Sequence, residues 1–136
     1  MYLAIKPHSI SDNVNVMITI RKAKISDIEQ LEKLFLLTRI YNFTSRPIDH
    51  FQIGDYADSV KDDQVWLGER NNIIVGFVSI YLADNFIHNL FVHPNFQQGG
   101  IGSMLLKKAR SNLQKPMTLK IAIDNLKACS FYEKHG

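Results

Sequence analysis

Apolar and polar positions name the elements of this chain in turn. Through "VMITIRKA" the residues Val16, Ile18 and Ile20 alternate with polar or exposed neighbours, the period of a half-buried strand. "SDIEQLEKLFLL" changes to helical spacing, with Ile28, Leu31, Leu34 and Phe35 on one face and Ser26 and Glu29 placed as a capping box. From Thr38 to Asp63 the pattern weakens, although Pro47 can open a helix that runs to about Lys61. "QVWLGE" and "IIVGFVSIYLA" read as strands joined by Asn71-Asn72, a pair that tolerates positive φ and predicts a tight hairpin.

"FIHNLFV" is a further strand, and "HPNFQQ" links it to a helix from about Gly100 to Leu113. The inward positions of that helix are Ile101, Met104, Leu105, Ala109 and Leu113. "MTLKIAI" is a fifth strand, and "NLKACSFYEKH" a closing helix capped by Asp124 or Asn125. The predicted order is βααβββαβα, an α/β domain over residues 17–136 preceded by a polar, aperiodic extension over residues 1–16.

Composition changes this picture little. The 136 residues suit one domain, 46% of them hydrophobic and 21% charged, as in an ordinary globular protein. One cysteine, Cys129, excludes a disulfide framework and fits a reducing compartment. No apolar run approaches the roughly 20 residues of a membrane span, and the N-terminus lacks the pattern of a signal peptide. The expectation is a cytoplasmic protein that engages neither membrane nor nucleic acid. The net charge of +3 is too mild and too scattered for a polymer. Only Lys107, Lys108, Arg110 and Lys115 gather, and they gather around the stretch "NFQQGGIGSMLLKKAR".

That stretch carries the chemistry. Gly99, Gly100 and Gly102 let the backbone adopt positive φ and approach a ligand, and the helix behind them presents unpaired N–H groups. Together they suit a phosphate or pyrophosphate; a plain loop before a helix is the other reading. A Walker loop fails because Ser103-Met104 follows Gly102. A dinucleotide fingerprint finds its first half in Gly100-Ile101-Gly102 and an acid in Asp124, but fits poorly because Leu105 stands where its third glycine belongs and too little chain follows for a doubly wound sheet.

Gln97-x-x-Gly100-x-Gly102, behind a strand ending "LFVHP", resembles the acyl-CoA signature of the GNAT N-acetyltransferases, and "DNLKACSFYEKHG" resembles that family's second motif. The likeness covers about Met17 to Gly136. It implies the GNAT acyl-CoA N-acyltransferase fold, a mixed central sheet flanked by helices, and direct acetyl transfer from acetyl-CoA to a primary amine, with no metal. By this resemblance, backbone amides of Gln98, Gly99, Gly100, Ile101, Gly102 and Ser103 hold the coenzyme A pyrophosphate, with Gln97 opening the motif. The main chain of Leu90, Phe91 and Val92, freed at a strand bulge, receives the pantetheine arm while their side chains pack in the core. Asn125 matches the family's cofactor-contacting asparagine, though a helix cap explains it too.

Tyr132 matches the tyrosine that protonates the departing thiolate; a buried structural tyrosine is the alternative. His88 is the candidate base, directly or through water, because strand alternation puts it on one face with Phe86, Leu90 and Val92, pointing into the cleft. A structural, hydrogen-bonded histidine is the alternative there. His93, beside Pro94, is expected to face solvent, and Glu69 is an outside candidate. "GDYADSVKDD" reads as a solvated acidic helix end or a lure for a cationic amine, and Cys129 as a helix-face residue.

Family members continue past "FYEKHG" into further strands that this sequence does not include. The open edge invites a second copy to complete the sheet. A catalytically weak or inactive acyl-CoA-binding module, completed by a partner chain, is therefore the alternative to an enzyme acting on a small-molecule or peptide amine.

Overall fold

A computed structural model describes residues 17–42, 50–97, 99–113 and 118–119. Five strands form one sheet in the order β1-β2-β3-β4-β5. They are β1 (Thr19–Lys22), β2 (Gln64–Arg70), β3 (Ile73–Tyr81), β4 (Phe86–Val92) and β5 (Thr118–Leu119). The first four pair antiparallel, and β5 joins β4 in parallel, so the sheet is mixed. Among the described residues three helices flank it: α1 (Ile28–Asn42), α2 (Asp55–Ser59) and α3 (Ile101–Asn112). The order found is the order predicted, as far as the described residues reach. The N-terminal extension, Pro47 and the closing helix with Asp124, Asn125, Cys129 and Tyr132 lie outside them.

Asn71 and Asn72 hold φ of 52° and 64°, the geometry that a two-residue turn between twisted strands requires. β3 is buried on both faces. Val75, Val78 and Ile80 pack under α3 with Ile101, Leu105, Leu106 and Ala109. Ile74 and Phe77 pack on the other side with Leu31, Leu34 and Phe35 of α1 and Tyr56 of α2. Leu106 takes the buried place predicted for Met104, which is 38% exposed. The helix is rotated slightly toward its following residue, a phase that spacing alone leaves open by one position.

Two expectations about the first half need correction. The helix is not opened by Ser26: a 3-10 turn over Ile25–Asp27 leads into α1, and the Asp27 carboxylate accepts the Lys24 N–H at 2.7 Å. Arg21 donates to the same carboxylate at 2.8 and 2.9 Å, which binds strand to helix start more firmly than a hydroxyl cap would. The second helix is one short segment, Asp55–Ser59. Asp55 opens it by accepting the Gln52 N–H at 2.9 Å, and Arg39 donates to the same oxygen at 3.0 Å while stacking over Phe35 and Phe51. Anchored so, α2 delivers Ser59 and Asp63 to the far end of the sheet.

Candidate active site

β4 runs between the two halves of the site. Ser79 of β3 pairs with Asn89 and Ile80 with Ile87, so His88 is an extra residue on β4. A bulge of this kind places two successive side chains on one face and bends the strand. Alternation from Phe86 to Val92 therefore breaks at His88, correcting the expectation of a common face. Leu90 and Val92 pack under α3, whereas His88 and Asn89 turn to the α1/α2 face. His88 Nδ1 lies 2.9 Å from Asp63 Oδ2, and Asn89 donates to Ser59 Oγ at 3.0 Å and Ser79 Oγ at 2.8 Å. Phe91 packs there too, edge-on to Phe35 with ring centres 5.3 Å apart. The side chains of Leu90, Phe91 and Val92 are thus packed ones, as expected.

The acidic stretch divides by partner. Asp55 is paired with Arg39 and Asp63 with His88, while Asp58 and Asp62 are exposed. The Asp63 side chain is only 3% exposed beside a His88 side chain that is 38% exposed. Nearby, burial and then the carboxylates of Asp27, Glu32 and Asp63 push the Tyr56 phenol well above its ordinary range, so it stays protonated. Sequence reasoning missed Asp63 as a partner of His88. The two are 25 residues apart and meet only through the sheet. Glu69, the outside candidate, is taken by Arg21 at 3.2 and 3.3 Å.

Beyond Val92 the chain turns sharply. His93 is extended before Pro94, and its N–H donates to Val75, the extra residue of a second bulge, at 2.8 Å. Against expectation His93 is buried, 4% exposed, because its Nδ1 accepts the Asn95 N–H at 3.0 Å and its ring meets Phe96 edge-on. Burial holds the imidazole below its usual pKa, hence neutral. Gln97 Nε2 then donates to the Val92 carbonyl at 3.1 Å, closing the loop onto the strand. The Gly99 N–H is engaged by the Phe96 carbonyl at 3.2 Å.

Gly100 holds φ of 79°, the left-handed conformation glycine tolerates best, and caps α3. The first rung of that helix is Met104 N–H to Gly100 carbonyl. The N–H groups of Ile101, Gly102 and Ser103 fall in the first turn, at the positive end of the helix dipole. This donor set fits a pyrophosphate. Ile101 also anchors the turn, its side chain buried over β2 and β3. Gln98, Asn125 and Tyr132, the remaining expected site residues, lie outside the described residues. Among the described residues no three His, Cys, Asp or Glu side chains group as a metal site would require. No helix among them is long and apolar enough to cross a membrane.

Comparison with known proteins agrees with this architecture. An uncharacterized N-acetyltransferase of Escherichia coli, YafP, is 28% identical over 126 residues, covering 88% of this chain and 80% of that one. The PaiA N-acetyltransferase of Thermoplasma acidophilum, solved with coenzyme A, superposes with a TM-score of 0.75 at 22% identity, covering 88% of this chain and 89% of that one. The aminoglycoside N-acetyltransferase AAC(6′)-Iy, also solved with CoA, gives 0.67 at 15% identity, covering 90% and 88%. The profile of the acetyltransferase (GNAT) family matches residues 28–136, which include the glycine loop and all of the strand before it, and the chain belongs to that family.

Proposed function

We propose that the protein is an N-acetyltransferase that moves acetyl from acetyl-CoA directly to a primary amine. The observation that carries this reading is the course of β4. Its bulge turns His88 toward the α1/α2 face, and the same strand runs on into Gly100 and the first turn of α3. One strand thus leads from the His88 imidazole to the N-terminus of a helix.

In this reading the amides of Gln98, Gly100, Ile101, Gly102 and Ser103 hold the pyrophosphate, while Gly99 supplies the turn and Gln97 holds it shut. The main chain of Leu90, Phe91 and Val92 guides the pantetheine arm, with Asn125 contacting the cofactor. The amine nitrogen bonds to the thioester carbonyl carbon, a strand N–H meets the oxygen as it gains charge, and the C–S bond then breaks. The nitrogen's proton goes to His88, directly or through water, and the leaving thiolate takes one from Tyr132.

The acceptor binds on the face where Tyr56, Ser59 and Asp63 approach β4. AAC(6′)-Iy has been solved with a bisubstrate analogue, CoA-S-monomethyl-acetylneamine. A panel of amines for this chain accordingly begins with amino sugars and extends to polyamines and peptides. The test is release of free thiol from acetyl-CoA across that panel. Turnover with at least one amine, lowered about 10²- to 10⁴-fold by His88→Gln, is the expected result. Binding of acetyl-CoA with no turnover on any amine would leave a CoA-binding module and end the enzyme reading.

A further inference from the structure

Asp63 is a buried carboxylate whose position the reaction above does not explain. It sits just ahead of β2, while the residue it touches belongs to β4. β3 lies between them, with Gln64 opposite Ile80 and Ile80 opposite Ile87. The contact exists because the bulge at His88 swings the imidazole out of the strand's alternation and onto the α1/α2 face. The neighbouring contact of Asn89 with Ser59 fastens the same two segments a second time. Two successive residues of one bulge thus grip the end of α2 and the turn that follows it.

We propose that Asp63 is the positioning residue for His88, fixing which ring nitrogen faces the acceptor amine; this rests on the acetyltransferase reading. A carboxylate only accepts a hydrogen bond, so the hydrogen of this contact belongs to Nδ1. Nδ1–H donates to Asp63 Oδ2 across 2.9 Å. That leaves the Nε2 lone pair as the proton acceptor, and among the described residues Nε2 has no hydrogen-bond partner. Burial of Asp63 keeps water from competing for Nδ1, while the partial exposure of His88 leaves the ring reachable. The other groups on this face do not substitute for Asp63. Tyr56 stays protonated, and Ser59, Ser79 and Asn89 are neutral and occupied with one another. The Phe86 ring lies beside the imidazole, with ring centres 5.8 Å apart.

The test has two arms that fail independently. In the first, the protein labelled with ¹⁵N at histidine is examined by long-range nitrogen–proton correlation, with His88→Gln assigning the His88 signals. The expected spectrum at alkaline pH shows neutral His88 protonated on Nδ1; a ring protonated on Nε2 overturns the proposal whether or not the protein turns over. In the second arm, kcat/KM is compared for wild type, Asp63→Asn, Asp63→Glu and the Asp63→Asn/His88→Gln pair. Asp63→Asn is expected to lose about 10- to 100-fold, Asp63→Glu to recover part of it, and the pair to be no worse than His88→Gln alone. Acetyl-CoA affinity stays at the wild-type value in each. Wild-type turnover in Asp63→Asn, or losses that simply multiply in the pair, overturns the proposal. If no amine is acetylated, the functional reading fails while the tautomer still answers for Asp63. If Asp63→Asn does not fold, Asp63→Glu and the wild-type tautomer decide.

Discussion

Gly68 and Gly76 face each other across β2 and β3, and the side chain of Ile101 rests on both. A Cβ at Gly76 would stand 2.9 Å from the Phe91 carbonyl oxygen and 3.1 Å from Leu105 Cδ1; one at Gly68 would meet only side chains, at 3.4 Å or more. The paired glycines let the first turn of α3 settle onto the sheet, and that turn carries the amides proposed to bind the cofactor. Gly76→Ala is therefore expected to destabilise the protein by about 1–3 kcal/mol and to weaken acetyl-CoA binding. Gly68→Ala should cost less than 1 kcal/mol. Urea unfolding of the two variants, with equal m values, checks the contrast.

Gly100 makes the opposite kind of demand. A Cβ there meets nothing within 4 Å, yet φ is 79°. The penalty for a side chain is conformational, so Gly100→Ala is expected to lose about 1–2 kcal/mol and Gly100→Asn clearly less. Equal losses would mean that tolerance of the left-handed angle is not what selects glycine at this cap.

His93 links stability to pH. Its folded pKa is depressed by burial, so the unfolded chain binds more protons as pH falls below the ordinary histidine value of about 6.5. The contribution is complete above that value and is lost as pH drops through it. His93→Asn retains an oxygen that can accept the Asn95 N–H but cannot titrate. Between pH 7 and 5, wild type is expected to lose more stability than this variant in matched urea titrations.

Asp27 acts at lower pH. Hydrogen bonding to Arg21 holds its carboxyl below the ordinary range, so its stabilisation is present above about pH 3.9 and disappears on further acidification. Asp27→Asn is expected to cost about 1.5–3 kcal/mol at neutral pH and to flatten the acid limb of the stability curve. Parallel limbs for the two proteins would show that the pair does not contribute through its charge.

The legible parts of this fold were those governed by local backbone chemistry. Asn71-Asn72 announced its turn, and the glycines before α3 announced a left-handed cap, because few other residues adopt those angles. The strands and α3 followed from period. The facing of His88 was not legible, since the bulge arises from the register of β3 against β4 and leaves no mark in "FIHNLFV". The pairing with Asp63 was hidden for the same reason. Burial of His93 goes with contacts to Val75, Asn95 and Phe96, none of which a residue beside proline hints at. Between Thr38 and Asp63, where the pattern weakens, the largest difference among the described residues is that Phe51 and Gln52 are not helical and one short helix, Asp55–Ser59, stands where one running to about Lys61 was expected.

The measurement that bears most directly on the account is a calorimetric titration of the folded protein with acetyl-CoA, set beside a Gly100→Trp variant shown to be folded. Micromolar binding that the substitution abolishes is the predicted result, because an indole at the left-handed cap would displace the amides proposed to meet the pyrophosphate. Absence of binding to the wild type, or undiminished binding to the variant, would contradict the assignment of this loop as the acyl-CoA site.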